Sequence, residues 1–165
     1  TKVYFFLGSS IGNFYNKEEI KFLKKLRKSI SKNNYLFIGV DLIKNKTTLD
    51  KAYNDKKGYT AKFSLNLINI INRTQKTNLN INDFYYHGYY NTKKKCIHGF
   101  LVSKINQSFK IGNKRFFLKK SERILVEISN KFTIQSFKRL ASNTGWTTER
   151  VWLDNQKYYS LFLLK

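Results

Sequence analysis

Residues 3–8 read Val3-Tyr4-Phe5-Phe6-Leu7-Gly8, a short continuous apolar run that ends in glycine. Such a run predicts a buried strand of the parallel type. Asn16 and Glu19 have the spacing of an N-terminal capping box, which predicts that a helix begins there. A second apolar run, Tyr35–Val40, is closed by Asp41 and predicts another buried strand. Strand, helix and strand in this order form a βαβ unit, so we predict an α/β fold whose sheet is at least partly parallel.

The pattern changes after the second strand. Residues 44–57 are polar, and residues 60–74 predict a helix. The side chains expected on the buried face of that helix are Phe63, Leu67, Ile70 and Ile71. From residue 84 to residue 129 the apolar residues recur with period two, which predicts an antiparallel meander. Its predicted strands are Phe84–Tyr90, Cys96–Ile105, Ser108–Ile111, Arg115–Leu118 and Ile124–Ser129.

The last part of the chain returns to an α/β pattern. It predicts a helix over Thr133–Ser142 and strands over Thr147–Leu153 and Tyr158–Leu164. We therefore expect two domains. One comprises residues 1–43 and 132–165, and the other is an inserted antiparallel α+β domain of residues 44–131.

The chain is strongly basic, with 32 Lys and Arg against 10 Asp and Glu and a formal net charge of +22. Such a charge is a common sign of a nucleic-acid-binding protein. Here most of the cations are Lys, and Asn, Ile, Tyr and Phe are abundant as well. These residues share A/T-rich codons, so we attribute the charge to genomic base composition and expect no nucleic-acid partner.

The sequence contains few residues of the types that bind metals. Cys96 is the single cysteine, which is typical of a reducing compartment and predicts a cytoplasmic protein. His87 and His98 have no Cys or carboxylate at ligand spacing, so we expect no metal site. No apolar run approaches the roughly 18 residues of a membrane span, so we expect no membrane partner.

Asn13 and Tyr53 are two polar residues that we consider as candidates for a ligand site. Asn13 lies in a Gly/Ser loop after the first predicted strand, where open α/β sheets bind ligands. Its amide donates and accepts hydrogen bonds, which suits a zwitterionic ligand, although Asn is also an ordinary turn residue. Tyr53 is an aromatic hydroxyl in a polar linker and, alone, reads as a surface tyrosine.

The strand Ile124–Ser129 carries a second candidate site. Side chains alternate along a strand, so Glu127 and Ser129 are expected on one face with Leu125. A carboxylate and a hydroxyl in an apolar strand form an acceptor–donor pair for a ring with two polar nitrogens. A half-exposed edge strand would explain the same pattern.

Several blocks of sequence occur together in one order. They are Phe6-Leu7-Gly8-Ser9-Ser10-Ile11-Gly12-Asn13-Phe14, Gly39-Val40-Asp41-Leu42-Ile43-Lys44, Ala52-Tyr53-Asn54-Asp55, Gly58-Tyr59-Thr60-Ala61-Lys62-Phe63, Glu127-Ile128-Ser129-Asn130-Lys131-Phe132 and Val151-Trp152-Leu153-Asp154. In this the chain resembles, over almost its whole length, the S-adenosylmethionine-dependent L-histidine Nα-methyltransferases of ergothioneine biosynthesis. The resemblance implies a Rossmann-like methyltransferase core with an inserted substrate-binding domain.

The resemblance also implies roles for individual residues. Asn13 and Tyr53 would hold the amino-acid backbone of histidine, and Glu127 and Ser129, with Ile128 between them, would hold its imidazole. S-adenosylmethionine would be the cosubstrate. No dedicated base is identified, and Tyr53 is the candidate for that role.

Two departures from the family pattern stand out. The family's cofactor-binding first half, with its Gly-rich loop and ribose-binding acid, has no counterpart here, so we expect the chain to be the C-terminal portion of a longer protein. The main cofactor site would then lie outside it. In addition, Gly99 stands where the family has a Met that lines the imidazole pocket. The smaller residue is expected to enlarge that pocket.

Three alternatives remain open. A related enzyme would methylate another amino acid, or a histidine-containing peptide, which substrate profiling would reveal. A basic nucleic-acid-binding module would show steeply salt-dependent binding. A non-catalytic fragment would lack the missing half in its parent reading frame.

Overall fold

A computed structural model of the chain describes every residue from Thr1 to Lys165. The fold is mixed α/β, with four α-helices and nine β-strands. In chain order they are β1 (Val3–Phe6), α1 (Glu18–Ser29), β2 (Tyr35–Asp41), α2 (Lys46–Tyr53), α3 (Tyr59–Gln75), β3 (Phe84–Asn91), β4 (Cys96–Ser103), β5 (Gln107–Ile111), β6 (Lys114–Leu118), β7 (Arg123–Asn130), α4 (Ile134–Asn143), β8 (Thr148–Leu153) and β9 (Tyr159–Leu164).

The chain divides into two compact units. Unit 1 comprises Thr1–Asn45, Thr92–Cys96 and Ile128–Lys165, and unit 2 comprises Lys46–Asn91 and Ile97–Glu127. Their assignment as a core and a substrate-binding domain stays a prediction. None of the four helices combines the length and the hydrophobicity needed to span a bilayer.

Unit 1 is built on a four-stranded sheet with the order β1-β2-β9-β8. Strands β1 and β2 are parallel and are joined through α1, which confirms the predicted βαβ unit. Strand β9 pairs antiparallel with β2 and with β8, so the sheet is mixed. Its core includes fully buried side chains from the sheet and both helices, among them Leu23, Ile38, Val40, Phe137 and Phe162.

Strand β1 is parallel, as predicted, but the prediction that it is buried is wrong. Phe5 is 67% exposed, and Val3 and Tyr4 are exposed as well. The strand lies at an edge of the sheet and has a neighbouring strand on one side only. An apolar run therefore indicated a strand correctly without indicating its burial.

The capping box predicted at Asn16 does not form. Helix α1 begins at Glu18, and Lys17 stands at its N-cap without a side-chain hydrogen bond. Asn16 and Lys17 both have left-handed backbones, with φ of 49° and 64°. An N-cap side chain reaches the helix from an extended backbone, which this turn does not provide. By contrast, Thr133 caps α4 in a complete capping box with Ser136.

Unit 2 contains a three-stranded sheet with the order β3-β4-β7 and an antiparallel pair, β5 and β6. The five strands predicted between residues 84 and 129 are confirmed, but the prediction that they form one meander is wrong, because β7 lies next to β4 and β5 pairs with β6 in a separate sheet. The sheet packs against a small apolar cluster that includes Ile68, Leu79, Phe84 and Leu101.

Helix α3 confirms the predicted helix but buries a different face. Its buried residues are Ser64 and Ile68, whereas Phe63 is 81% exposed and Ile70 is exposed as well. Leu67 and Ile71 are partly buried against the cluster, as predicted. Apolar side chains surround much of this helix, so periodicity alone did not select the face that packs.

Helix α2 lies in the segment that the sequence showed only as polar. Leu49 is its single buried residue, so no apolar stripe marks it. Tertiary hydrogen bonds attach it to β3 instead. The Asp50 carboxylate accepts from the Tyr90 N–H at 2.7 Å, and the Asn54 side chain bonds both backbone groups of Gly88.

Candidate functional site

Each of the three residues in the segment Tyr53-Asn54-Asp55 makes a different contact with the rest of the chain. Tyr53 is the last residue of α2 and is half-buried. Asn54 donates to the Gly88 carbonyl at 2.8 Å and accepts from its N–H at 3.3 Å. The Asp55 carboxylate accepts from the backbone N–H of Tyr59 and Thr60 at the start of α3. The neighbours of Tyr53 therefore fix its position between a strand and a helix.

Tyr86 is the residue that the sequence reasoning missed in unit 2. A Cβ added at Gly88 would lie 2.7 Å from Tyr86 Oη, and one added at Gly99 would lie 2.8 Å from the same atom. The Gly99 position is also 2.9 Å from Glu127 Cβ. Because Tyr86 occupies the space above Gly99, the expected enlargement of a pocket at this position is not found.

The Tyr86 hydroxyl lies in an unusual environment. Its Oη is buried and makes no hydrogen bond of acceptable geometry. Burial raises the pKa of the phenol, and the nearby Glu127 carboxylate and Tyr53 hydroxyl raise it further. The phenol is therefore neutral at physiological pH. Unit 2 thus brings Tyr53 and Glu127, two predicted site residues, to the same hydroxyl.

In unit 1 the loop after β1 is clamped at the end of β7. Gly12 is buried, and a Cβ there would lie 2.7 Å from the Asn130 carbonyl oxygen. The Asn130 side chain donates to the Phe14 carbonyl at 2.9 Å. Asn13 stands between these two contacts and is exposed. The loop therefore presents Asn13 to solvent close to the end of the strand that carries Ser129.

Ser129 belongs to a buried polar chain. Its Oγ accepts a hydrogen bond of 2.8 Å from Lys131 Nζ. Lys131 is only 4% exposed and pairs with Asp41 at 2.6 Å, and Asp41 pairs with Lys44 as well. A lone pair of the Ser129 oxygen is thus taken by a cation, which leaves its O–H available to donate.

Some of these residues were visible in the sequence and others were not. Lys131 stands in the block that carried Glu127 and Ser129, and Asp41 closes a predicted strand, but neither had a role assigned. No pattern pointed to Tyr86. Its position depends on the pairing of β3, β4 and β7, which the sequence does not state.

The single cysteine lies beside the Ser129 backbone and near Lys131, whereas the two histidines pack on a tyrosine ring. Cys96 is buried at the start of β4, and burial raises the pKa of its thiol. His87 and His98 each pack against the ring of Tyr89, at centroid distances of 5.9 and 5.8 Å. They are part of an aromatic face on β3 and β4.

The chain matches one protein family along its whole described length. Over residues 1–165 it matches the family described as histidine-specific methyltransferase, SAM-dependent. It is 28% identical over 164 residues to the histidine N-alpha-methyltransferase of Mycobacterium tuberculosis, an alignment that covers 98% of this chain and 51% of that protein. It is 29% identical over 154 residues to ergothioneine biosynthesis protein 1 of Neurospora crassa, covering 92% of this chain and 17% of that protein. The chain thus spans about half the length of the mycobacterial relative.

A solved structure shares the fold. The CcbJ methyltransferase of Streptomyces caelestis superposes with a TM-score of 0.50 at 8% identity, covering 99% of this chain and 56% of that one. At this identity the likeness concerns the fold alone. Since the family match runs from the first described residue to the last, the chain belongs to the histidine-specific, S-adenosylmethionine-dependent methyltransferases.

Proposed function

We propose that the protein containing this chain transfers methyl groups from S-adenosylmethionine to the α-amino group of L-histidine, on the route to trimethylhistidine (hercynine) in ergothioneine biosynthesis. The chain would supply the second half of a Rossmann-like core, residues 1–43 and 132–165, and an inserted substrate-binding domain, residues 44–131. The observation that carries the proposal is the hydrogen bond that Lys131 Nζ donates to Ser129 Oγ, which leaves the Ser129 O–H to donate, two residues from Glu127 on β7.

Glu127 and Ser129 offer complementary groups to an imidazole. A neutral imidazole has one N–H donor and one bare nitrogen acceptor. The Glu127 carboxylate accepts from the N–H. The Ser129 O–H donates to the other nitrogen, because its oxygen already accepts from Lys131. A phenylalanine ring would leave both groups without a partner, which is the kind of penalty that excludes apolar analogues.

The other end of histidine would be held by Asn13 and Tyr53. The Asn13 amide donates to the carboxylate and accepts from the amino group, and the Tyr53 hydroxyl adds a second polar contact. Methyl transfer needs the α-amine as the free base, and the work of such a site is mainly to position it. Tyr53 stays the candidate base.

S-adenosylmethionine supplies the methyl group. A ribose-binding acid at the end of a parallel strand would have to be free to accept hydrogen bonds. Asp41 ends β2, but both of its oxygens are engaged, one by Lys44 and the other by Lys131. These two lysines would compete with a ribose for the carboxylate, and we assign no residue of this chain to the cosubstrate.

The decisive experiment measures histidine affinity in the full protein after substitution of Glu127. Glu127→Ala removes a charged acceptor, and hydrogen bonds to charged groups contribute roughly 1.5–3 kcal/mol. We expect a loss in affinity of about 10- to 150-fold, measured by calorimetry. Glu127→Gln keeps the shape without the charge and should fall between wild type and Glu127→Ala.

Glu149→Ala is the matched control, because Glu149 is an exposed carboxylate on β8. It should leave the affinity unchanged. If Glu127→Ala binds histidine as tightly as wild type while the fold persists, the proposed imidazole site is wrong. Preferential binding of another amino acid by the wild-type protein would favour the alternative of a related methyltransferase with a different substrate.

A further inference from the structure

Tyr86 lies across the sheet of unit 2. It starts on β3, and its ring lies over Gly88 on the same strand and over Gly99 on β4, which we call together the glycine trough. Neither glycine has a positive φ, so glycine is present there for space and not for backbone conformation. Beyond the trough lies Glu127 on β7, whose Cβ is 2.9 Å from the position that a Gly99 Cβ would occupy. The Tyr86 side chain therefore extends across the trough, and its hydroxyl lies near the Glu127 carboxylate.

That hydroxyl makes no well-aligned hydrogen bond in the ligand-free chain, although the Glu127 carboxylate lies near it. Buried polar atoms are nearly always hydrogen-bonded, and an exception calls for an explanation. Tyr86 Oη is such an exception, although the Glu127 carboxylate is close enough to raise its pKa. Hydrogen bonds at functional sites are often poorly aligned without ligand and tighten when it binds.

We propose that Tyr86 is a positioning residue for Glu127: when a substrate ring binds, the Tyr86 O–H donates to the carboxylate and holds it in the orientation that accepts the ring N–H. This inference rests on the proposed function, since it takes Glu127 as the acceptor for the ring. The titratable groups that face the hydroxyl are Glu127 on β7 and Tyr53 at the end of α2. Strand β4 contributes the uncharged Gly99.

The proposal makes the Tyr86 hydroxyl stabilise the ionised form of Glu127. A donor to a carboxylate lowers the pKa of that carboxylate. Loss of the donor therefore raises the Glu127 pKa, and histidine binding on the acid side should fail at a higher pH. The titration of histidine itself is the same in every variant, so a difference between two proteins belongs to the protein.

The test compares Tyr86→Phe with wild type in the full protein, with histidine affinity measured from pH 5 to pH 8. We expect the affinity at neutral pH to fall about 3- to 10-fold, as for loss of one hydrogen bond. The acid limb of the affinity profile, which is the pH range where histidine affinity falls on acidification, should shift to higher pH by about half a unit to one unit. The melting temperature should change little, because the deleted hydroxyl makes no well-aligned hydrogen bond in the ligand-free chain. Tyr85→Phe is the control, since Tyr85 is 46% exposed on the same strand, and it should change neither quantity.

Gly99→Ala tests the same hydroxyl by displacing it instead of deleting it. It should move the acid limb in the same direction as Tyr86→Phe. If both variants leave the limb in place, or if Tyr86→Phe lowers the melting temperature by several degrees, Tyr86 is a structural residue and the proposal is wrong. Glu127→Ala distinguishes a failure of the proposed function from a failure of the positioning role. If Glu127→Ala does not weaken histidine binding, the proposed function is wrong. If Glu127→Ala weakens binding but Tyr86→Phe does not shift the acid limb, only the positioning role is wrong.

Discussion

The two units stabilise their candidate site groups by opposite means. In unit 1 the Ser129 hydroxyl accepts from a buried lysine that is itself paired with Asp41. In unit 2 the group beside Glu127 is a neutral phenol held in the glycine trough. A cation at the serine favours donation by its O–H, whereas a neutral donor at the glutamate preserves its negative charge as an acceptor. This difference underlies the opposite hydrogen-bonding roles that we propose for Glu127 and Ser129 on one strand.

The largest expected effect comes from breaking the buried charges of unit 1. Lys131→Met leaves Asp41 with one cation instead of two and leaves the Ser129 oxygen without its donor. Removal of one partner of a buried ion pair costs about 3–5 kcal/mol, and the remaining Lys44 places this case at the low end. We expect the free energy of unfolding in denaturant to fall by about 3 kcal/mol.

Lys46→Met is the control for this experiment. Lys46 pairs with Asp50, but its side chain is 58% exposed, so the loss should stay below about 1 kcal/mol. Equal losses in the two variants would mean that burial does not distinguish these pairs.

A smaller effect is expected from filling the glycine trough of unit 2. A Cβ at Gly99 would lie within 3.0 Å of both Tyr86 and Glu127. Overpacking of this kind costs about 1–3 kcal/mol, so Gly99→Ala should lower the free energy of unfolding by about that amount. In a Tyr86→Ala background the added cost should be smaller, because one of the two obstacles is gone. The same cost in both backgrounds would show that Tyr86 does not fill the space above Gly99.

The smallest effect concerns the Asp55 carboxylate, which follows Tyr53 closely in the chain and accepts from the start of α3. Backbone N–H groups of Thr60 and Tyr59 lower the pKa of the Asp55 carboxyl. Its folded pKa then lies below the unfolded value of about 3.9, so the ionised group stabilises the fold above that pH. The contribution disappears as the pH falls through the lower folded pKa.

Asp55→Asn removes this titration and keeps a capping side chain. We expect its melting temperature to lie slightly below that of wild type at pH 7 and the two to converge on acidification to about pH 3. A difference that stays constant over this range would contradict a contribution from the carboxylate charge.

Prediction from sequence succeeded where one segment carries its own signal. The parallel pair of strands at residues 3–6 and 35–41 follows from two apolar runs with a helix between them. Thr133 marks the start of α4 because its side chain caps the helix locally. Prediction from sequence failed where tertiary packing decides which face of a helix is buried or whether a helix forms. Phe63 is exposed on a helix with apolar residues on several faces, and α2 is held by Asp50 and Asn54 without an apolar stripe of its own.

The same division runs through the candidate site. The sequence by itself was enough to identify the α/β class and the family, and it predicts the site residues Asn13, Tyr53, Glu127, Ile128 and Ser129, because these stand in short blocks whose order is readable without contacts. Only the tertiary structure decided that Lys131 engages the Ser129 oxygen and that Tyr86 fills the space above Gly99. The physical reason is that hydrogen-bonding roles depend on atoms brought together from different strands. Strand order and burial bring those atoms into contact, and the spacing of residues along the chain determines neither of them.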